Sequence, residues 1–168
     1  PNEKYNVYEQ PNAEDDYGYS KSLGEPIGCI TLRTSIIGPS KNDSNGLFEW
    51  FRNNNQEKIP GFTEHFWSGI TTLELSKIIE KIIENDFYPK KETKNVYQVS
   101  IKESITKWTL LRYINDIFDL NKVIYRVENQ AYVNRALESN IKDLCNIEIN
   151  DIKIQLKELK EWEKNEES

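Results

Sequence analysis

The chain has 168 residues, of which 37% are hydrophobic and 30% charged, and a formal net charge of −6. That length suits one domain with a real core, and an aromatic content of 11% argues against disorder. The acidic balance excludes general nucleic-acid binding, and no apolar run reaches the ~18 residues a membrane-spanning helix needs.

Residues 1–16 are polar, rich in Pro, Asn and acidic side chains, and predict an extended arm with no signal peptide. Glu14, Asp15 and Asp16 read as a solvated acidic stretch. A short helix is predicted over 17–25, stopped by Pro26. Residues 29–37 (CITLRTSII) read as a strand buried on both faces, as in a parallel sheet, with Cys29 in the core. Gly38-Pro39 breaks it, and 40–45 is a polar loop. Over 46–55 a helix places Leu47, Trp50 and Phe51 on one face. Residues 62–70 read as loop and short strand, with His65 in a loop. Thr71 and Glu74 have capping-box spacing, and the helix behind them carries Leu75, Ile78, Ile79, Ile82 and Ile83 as an apolar stripe.

A strand follows over 96–100, then a second amphipathic helix from Ser104 to Phe118 and a strand over 123–127. Asn134 is placed to cap a short helix over 135–140. A terminal helix over 151–162 turns Ile152, Leu156 and Leu159 inward. Strands alternate with helices, so the fold class is α/β. The two cysteines, Cys29 and Cys145, are too few for a disulfide framework and predict a reducing, cytoplasmic compartment. The single histidine, His65, excludes a His-based triad and a multi-His metal site.

One motif points to chemistry. Tyr17 and Lys21 are four residues apart, hence one turn apart on one helix face. A free phenol has a pKa near ~10 and is a poor acid at neutral pH. A neighbouring cation favours the phenolate, so such a pair suits proton donation to a carbonyl oxygen.

The string DYGYSKSLGE at 16–25 resembles the catalytic helix of extended short-chain dehydrogenases/reductases acting on nucleotide sugars. LRTSIIG at 32–38, GLFEWF at 46–51, GFTEHFWSGITTLELSKII at 61–79 and VNRALESN at 133–140 fit the same family in order and spacing. Together they resemble the C-terminal half of the dTDP-4-dehydrorhamnose reductase-like branch. The resemblance implies a C-terminal part of a Rossmann-like NAD(P)-binding fold plus a small α/β substrate-binding domain. Residues 1–45 would end the Rossmann-like domain and carry the Tyr-Lys helix and the next strand. Residues 46–168 would be mainly the substrate-binding region, with some segments returning to the sheet.

The resemblance also implies roles. Tyr17 would protonate the sugar 4-keto oxygen, and Lys21 would bind the nicotinamide ribose. Thr34, Ser35 and Ile36 would contact the nicotinamide end of NADP or NAD. Gly46, Leu47, Trp67, Ser68, Gly69 and Thr71 would line the sugar-nucleotide pocket. Arg135 would meet a diphosphate, which its planar fork suits. Arg33 and Arg52 are candidate phosphate or carboxylate partners whose default is an ion pair.

The chain departs from the family in lacking the Gly-rich phosphate-binding turn of a Rossmann fold. Residues 1–16 also hold no Ser or Thr of the kind that assists the Tyr. The implied activity is NAD(P)H-dependent reduction of a UDP- or dTDP-linked 4-keto-6-deoxyhexose, for rhamnose-type sugar synthesis. An N-terminal Rossmann half or a second copy is the implied partner. A non-catalytic nucleotide-sugar-binding subunit, a remnant and an epimerase are the alternatives.

Overall fold

The computed structural model describes residues 4–10, 12, 15–40, 46–128 and 131–166. The polar loop expected over 40–45 falls almost wholly outside them, as do Glu14 and parts of the N-terminal arm. The arm's described part is tied down: Tyr5 bridges to Leu137, donating to the Ala136 carbonyl at 2.9 Å.

Asp15 opens α1 (Asp16–Leu23) by accepting the Gly18 N–H at 2.6 Å, so it caps a helix rather than sitting idle in a solvated run. The strand expected over 29–37 divides at Thr34-Ser35 into β1 (Ile30–Arg33) and β2 (Ile36–Ile37). Neither is buried on both faces: β1 is half-buried throughout, Ile36 is exposed, and Cys29 lies on the surface. The apolar run reflects two successive short pairings, not one central strand.

In α2 (Leu47–Asn53) the buried residues are Phe48, Glu49 and Phe51, and Trp50 faces outward. Phe48 stands edge-on to Phe118 at 5.0 Å, which rotates the helix away from the expected Leu47–Trp50–Phe51 face. The stretch predicted as loop and short strand holds β3 (Lys58–Phe62), β4 (His65–Trp67) and β5 (Ile70–Thr71). Pro60 and Gly61 hid β3. A proline is tolerated there because β3 pairs with a single neighbour, β8.

The strongest sequence signal becomes α3 (Thr72–Glu84), capped by the Thr71 hydroxyl on the Glu74 N–H at 3.2 Å. Ile78 and Ile82 are buried in it, whereas Ile79 and Ile83 remain exposed. After β6 (Asn95–Gln98), residues expected to begin a helix at Ser104 instead form β7 (Ile105–Thr106). Helix α4 (Lys107–Ile117) then starts behind the Thr106 cap. β8 (Val123–Val127) follows. Asn134 ends β9 (Val133–Asn134) rather than capping a helix over 135–140. Its side chain accepts from the Ala136 N–H at 3.0 Å, an Asx turn that competes with helix. The only helical turn nearby among the described residues is a 3₁₀ turn at Ile141–Asp143, before α5 (Ile152–Glu166).

β1 pairs with β6, β2 with β5 and β3 with β8, all in parallel. Parallel pairs need crossovers, which the helices supply. β4 is the centre of a three-stranded sheet, antiparallel to β7 and parallel to β9. Phe48, Phe51, Ile59, Ile70, Ile78, Leu110, Ile114, Ile152, Leu156 and Leu159 form one core between these strands and helices. No described helix is long and apolar enough to cross a membrane.

Candidate active site

The Tyr-Lys motif lies on one face of α1 as its spacing requires. The Lys21 ammonium stands 5.2 Å from the centre of the Tyr17 ring, and Tyr17 is 73% exposed. Indeed α1 buries none of its residues. What ties it to the fold is the segment behind it. Glu25 accepts two hydrogen bonds from Arg33 at the end of β1, from Nε at 2.6 Å and Nη2 at 2.9 Å. The forked Arg33 guanidinium, with Lys94 at 3.7 Å adding to it, holds the Glu25 carboxyl below the usual range despite its burial. Arg33 and Arg52 are both internal partners of carboxylates, Arg52 bonding Glu163 at 2.7 Å.

Thr34 and Ser35 fill the break between β1 and β2. Ser35 is bonded three ways. Its hydroxyl accepts the Trp67 indole N–H at 2.7 Å, and its carbonyl accepts from Ile70 N–H at 2.9 Å and Thr34 Oγ1 at 3.3 Å. Gly69 is what lets these chains approach: a Cβ there would lie 2.0 Å from the Ser35 oxygen and 2.4 Å from the Trp67 ring. Sequence positions expected in two different roles, Ser35 toward the nicotinamide and Trp67–Gly69 toward the sugar nucleotide, thus meet in one place.

Other expected pocket residues have internal duties. Ser68 is buried, and its hydroxyl both donates to the Leu137 carbonyl and accepts the Leu137 N–H. Thr71 is fully buried, with its hydroxyl on Glu74 and its N–H on Gln155, so it presents no surface to a ligand. Gly46 is exposed and Leu47 half-buried at the start of α2. Ile36 is exposed. Arg135 is exposed just past β9, where its N–H donates to the Phe66 carbonyl at 3.1 Å.

Two features carry no clear sequence signal. One is a cavity of about 770 Å³ whose walls include Tyr8, Tyr19, Ser22, Arg33, Tyr97 and Asn140. It faces the side of α1 opposite Tyr17 and Lys21. The other gathers His65, now in strand β4, with Lys107 and Arg135. Burial lowers the His65 pKa, and the Lys107 and Arg135 charges lower it further. Burial likewise pushes the Lys107 ammonium down, with Arg135 adding to it.

The residues expected at the nicotinamide end of a dinucleotide are an exposed Tyr-Lys pair and a fixed Thr34-Ser35 break. A Gly-rich cradle for its phosphates is not among this chain's residues. No group of His, Cys, Asp and Glu suited to a metal occurs among the described residues.

No protein-family model and no curated protein sequence matches the chain. Solved structures do. A dTDP-4-dehydrorhamnose reductase from Clostridium acetobutylicum is 14% identical, with a TM-score of 0.72 over 98% of this chain and 61% of its own. The dTDP-4-dehydrorhamnose reductase from Bacillus anthracis, solved with NADP, is 17% identical with a TM-score of 0.75 over 93% of this chain and 58% of its own. A UDP-N-acetylglucosamine 4-epimerase from Methanobrevibacter ruminantium, solved with UDP-N-acetylmuramic acid, is 19% identical with a TM-score of 0.58 over 88% and 50%. The chain spans about three-fifths of the length of these reductases, and its α/β fold is the fold of that part of a dTDP-4-dehydrorhamnose reductase-like structure.

Proposed function

We propose that this chain supplies the proton-donating and sugar-nucleotide-binding part of a nicotinamide-dependent 4-ketoreductase. Its substrate would be a UDP- or dTDP-linked 4-keto-6-deoxyhexose. The observation that supports this best is the pairing of Tyr17 with Lys21 on an exposed, capped helix, in a chain with the fold of such reductases.

In this reading the Tyr17 hydroxyl donates its proton to the substrate's carbonyl oxygen as that oxygen gains charge. Lys21 holds the nicotinamide ribose and supplies positive charge beside the phenol. The Arg33–Glu25 clasp sets where α1 stands relative to the Thr34-Ser35 break. NADPH or NADH, when bound, supplies the hydride. Its phosphate cradle would come from polypeptide outside these 168 residues.

The test is nicotinamide oxidation with dTDP- and UDP-linked 4-keto-6-deoxyhexoses, run on the protein isolated from its own source. Turnover should fall by about 10²-fold or more in Tyr17→Phe, the usual worth of a positioned general acid. Unchanged turnover in that variant would overturn the assignment. Interconversion of sugars without net nicotinamide oxidation would make the activity an epimerase, and binding without either would leave a carrier subunit.

A further inference from the structure

Strand β8 leaves one of its edges open. Among the described residues β3 is its single strand neighbour. Protein edges are commonly blunted by proline, by a bulge or by shortness. β3 carries Pro60, but β8 has no proline, runs for five residues (VIYRV) and is built from strong strand formers. Val123 is 55% and Tyr125 47% exposed.

The fold fixes which backbone groups face outward. The Val127 carbonyl points toward β3, accepting from the Thr63 N–H at 3.2 Å and from Thr63 Oγ1 at 3.1 Å. The N–H and C=O of one residue point to the same side of a strand, and successive residues alternate. Val123, Tyr125 and Val127 therefore turn their backbone to β3, and Ile124 and Arg126 turn theirs to the open edge. The side chains divide in the same rhythm. Arg126 stacks 4.9 Å from the centre of the Trp108 ring on α4, and a Cβ at Gly61 would touch both Trp108 and Ile124. Val123 and Tyr125 belong to the opposite, exposed face.

Charge then selects the occupant. Residues 122–128 (KVIYRVE) carry a cation at one end and an anion at the other. Laid antiparallel on itself about Tyr125, this segment sets Lys122 opposite Glu128 of the second copy, Val123 opposite Val127, Ile124 opposite Arg126 and Tyr125 opposite itself. Ile124 and Arg126, whose backbones face outward, then exchange N–H and C=O as hydrogen-bonded pairs. Tyr125 falls on the closer, non-hydrogen-bonded pair. The registers one step to either side fail: a centre at Ile124 opposes Lys122 to Arg126, and a centre at Arg126 opposes that cation to itself. Lys122 donates to the Asn54 carbonyl at 2.6 Å, and its ammonium has further protons to give. Arg126 and Glu128 pair at 3.4 Å at the surface.

We infer that a second copy of this chain docks on β8, strand against antiparallel strand. The two β3–β8 pairs would join into one sheet in the order β3, β8, β8, β3, about a two-fold axis at Tyr125. None of the residues expected to meet cofactor or substrate takes part, so the inference stands apart from the function proposed above. A strand pair of this length is a small interface, so the dimer should be weaker than ~1 µM.

Sedimentation equilibrium on the full chain from about 1 µM to 1 mM tests it, with far-UV dichroism as the check of folding. A concentration-dependent monomer–dimer equilibrium is expected. Lys122→Glu sets glutamates face to face across the two-fold, and Glu128→Lys sets lysines face to face. Each alone should weaken the dimer about ten-fold or more, whereas an equimolar mixture of the two variants should dimerise as the parent does. Recovery on mixing cannot come from the bond that Lys122 makes to Asn54, because that bond is still missing. If Lys122→Glu folds poorly, cross-linking by diamide in a Cys29→Ser background replaces it. Tyr125→Cys should then give a covalent dimer, and the similarly exposed Val123→Cys should not.

A chain that stays monomeric throughout, a dimer unmoved by both charge variants, or a mixture that fails to recover would overturn the interface. Equal cross-linking at 123 and 125 would overturn the register that defines it.

Discussion

The Thr71 backbone N–H, at the mouth of α3, donates to Gln155 Oε1 on α5 at 2.8 Å, with both residues fully buried. In a capping box that N–H would go to the carboxylate three residues on. Here Glu74 does not take it. Glu74 accepts instead from the Asn150 N–H at 3.4 Å, and Gln155 Nε2 donates to the Asn150 carbonyl at 2.7 Å. One amide thus joins β5, the start of α3 and the turn into α5.

Gln155→Leu keeps the volume but orphans the buried Thr71 N–H and takes a donor from the carbonyl of exposed Asn150. Leaving a buried donor unsatisfied costs about 1–3 kcal/mol. The variant should lose about that much in urea unfolding, with an unchanged slope.

Glu74 next to this junction has its pKa raised above the ordinary 4.5, chiefly by burial and partly by Glu158, against the Asn150 hydrogen bond and Lys77. The folded chain therefore keeps this proton at a pH where the unfolded chain has released it. Stability falls as pH climbs from 4.5 through the folded value, and the penalty persists above it. Glu74→Gln can still accept from Asn150 and removes that penalty. It should melt higher than the parent at pH 7, and the gap should close below pH 4.5.

The Glu25–Arg33 clasp has the opposite sign. Glu25 is held below 4.5, so its stabilisation is present above that pH and is lost as pH falls through the folded value. Glu25→Gln should cost about 2 kcal/mol at pH 7, from two charge-assisted hydrogen bonds to a largely covered side chain. The difference should shrink on acidification. Amide exchange across residues 16–23 should quicken in the same variant.

The sequence was most legible where one period dominated. The Ile78/Ile82 stripe and the Thr71 cap of α3 follow from spacing alone, as do Ile152, Leu156 and Leu159 on α5. The Tyr17–Lys21 pairing needed only a helix, and Asp15 supplied its start. Short strands were harder to read. β3 contains Pro60 and Gly61, β7 and β9 are two residues long, and their pairing is fixed by partners distant in sequence. The basic cluster was illegible for the same reason. His65, Lys107 and Arg135 become neighbours only through the β7–β4–β9 register, which no local pattern reports. Ser68 and Thr71 were expected in a pocket because the resemblance carries the whole segment 67–71 there, and it cannot report that their hydroxyls close backbone bonds to Leu137 and Glu74.

Helix α1 has eight residues and buries none of them. An isolated helix shorter than ~12 residues is marginal in water, so α1 carries little folding free energy of its own. Local opening there is cheap, and the arrangement of Tyr17 with Lys21 is a population rather than a fixed property. A surface that binds only the helical form of α1 raises that population by mass action. Activity from this chain would then be metered by the occupancy of that surface.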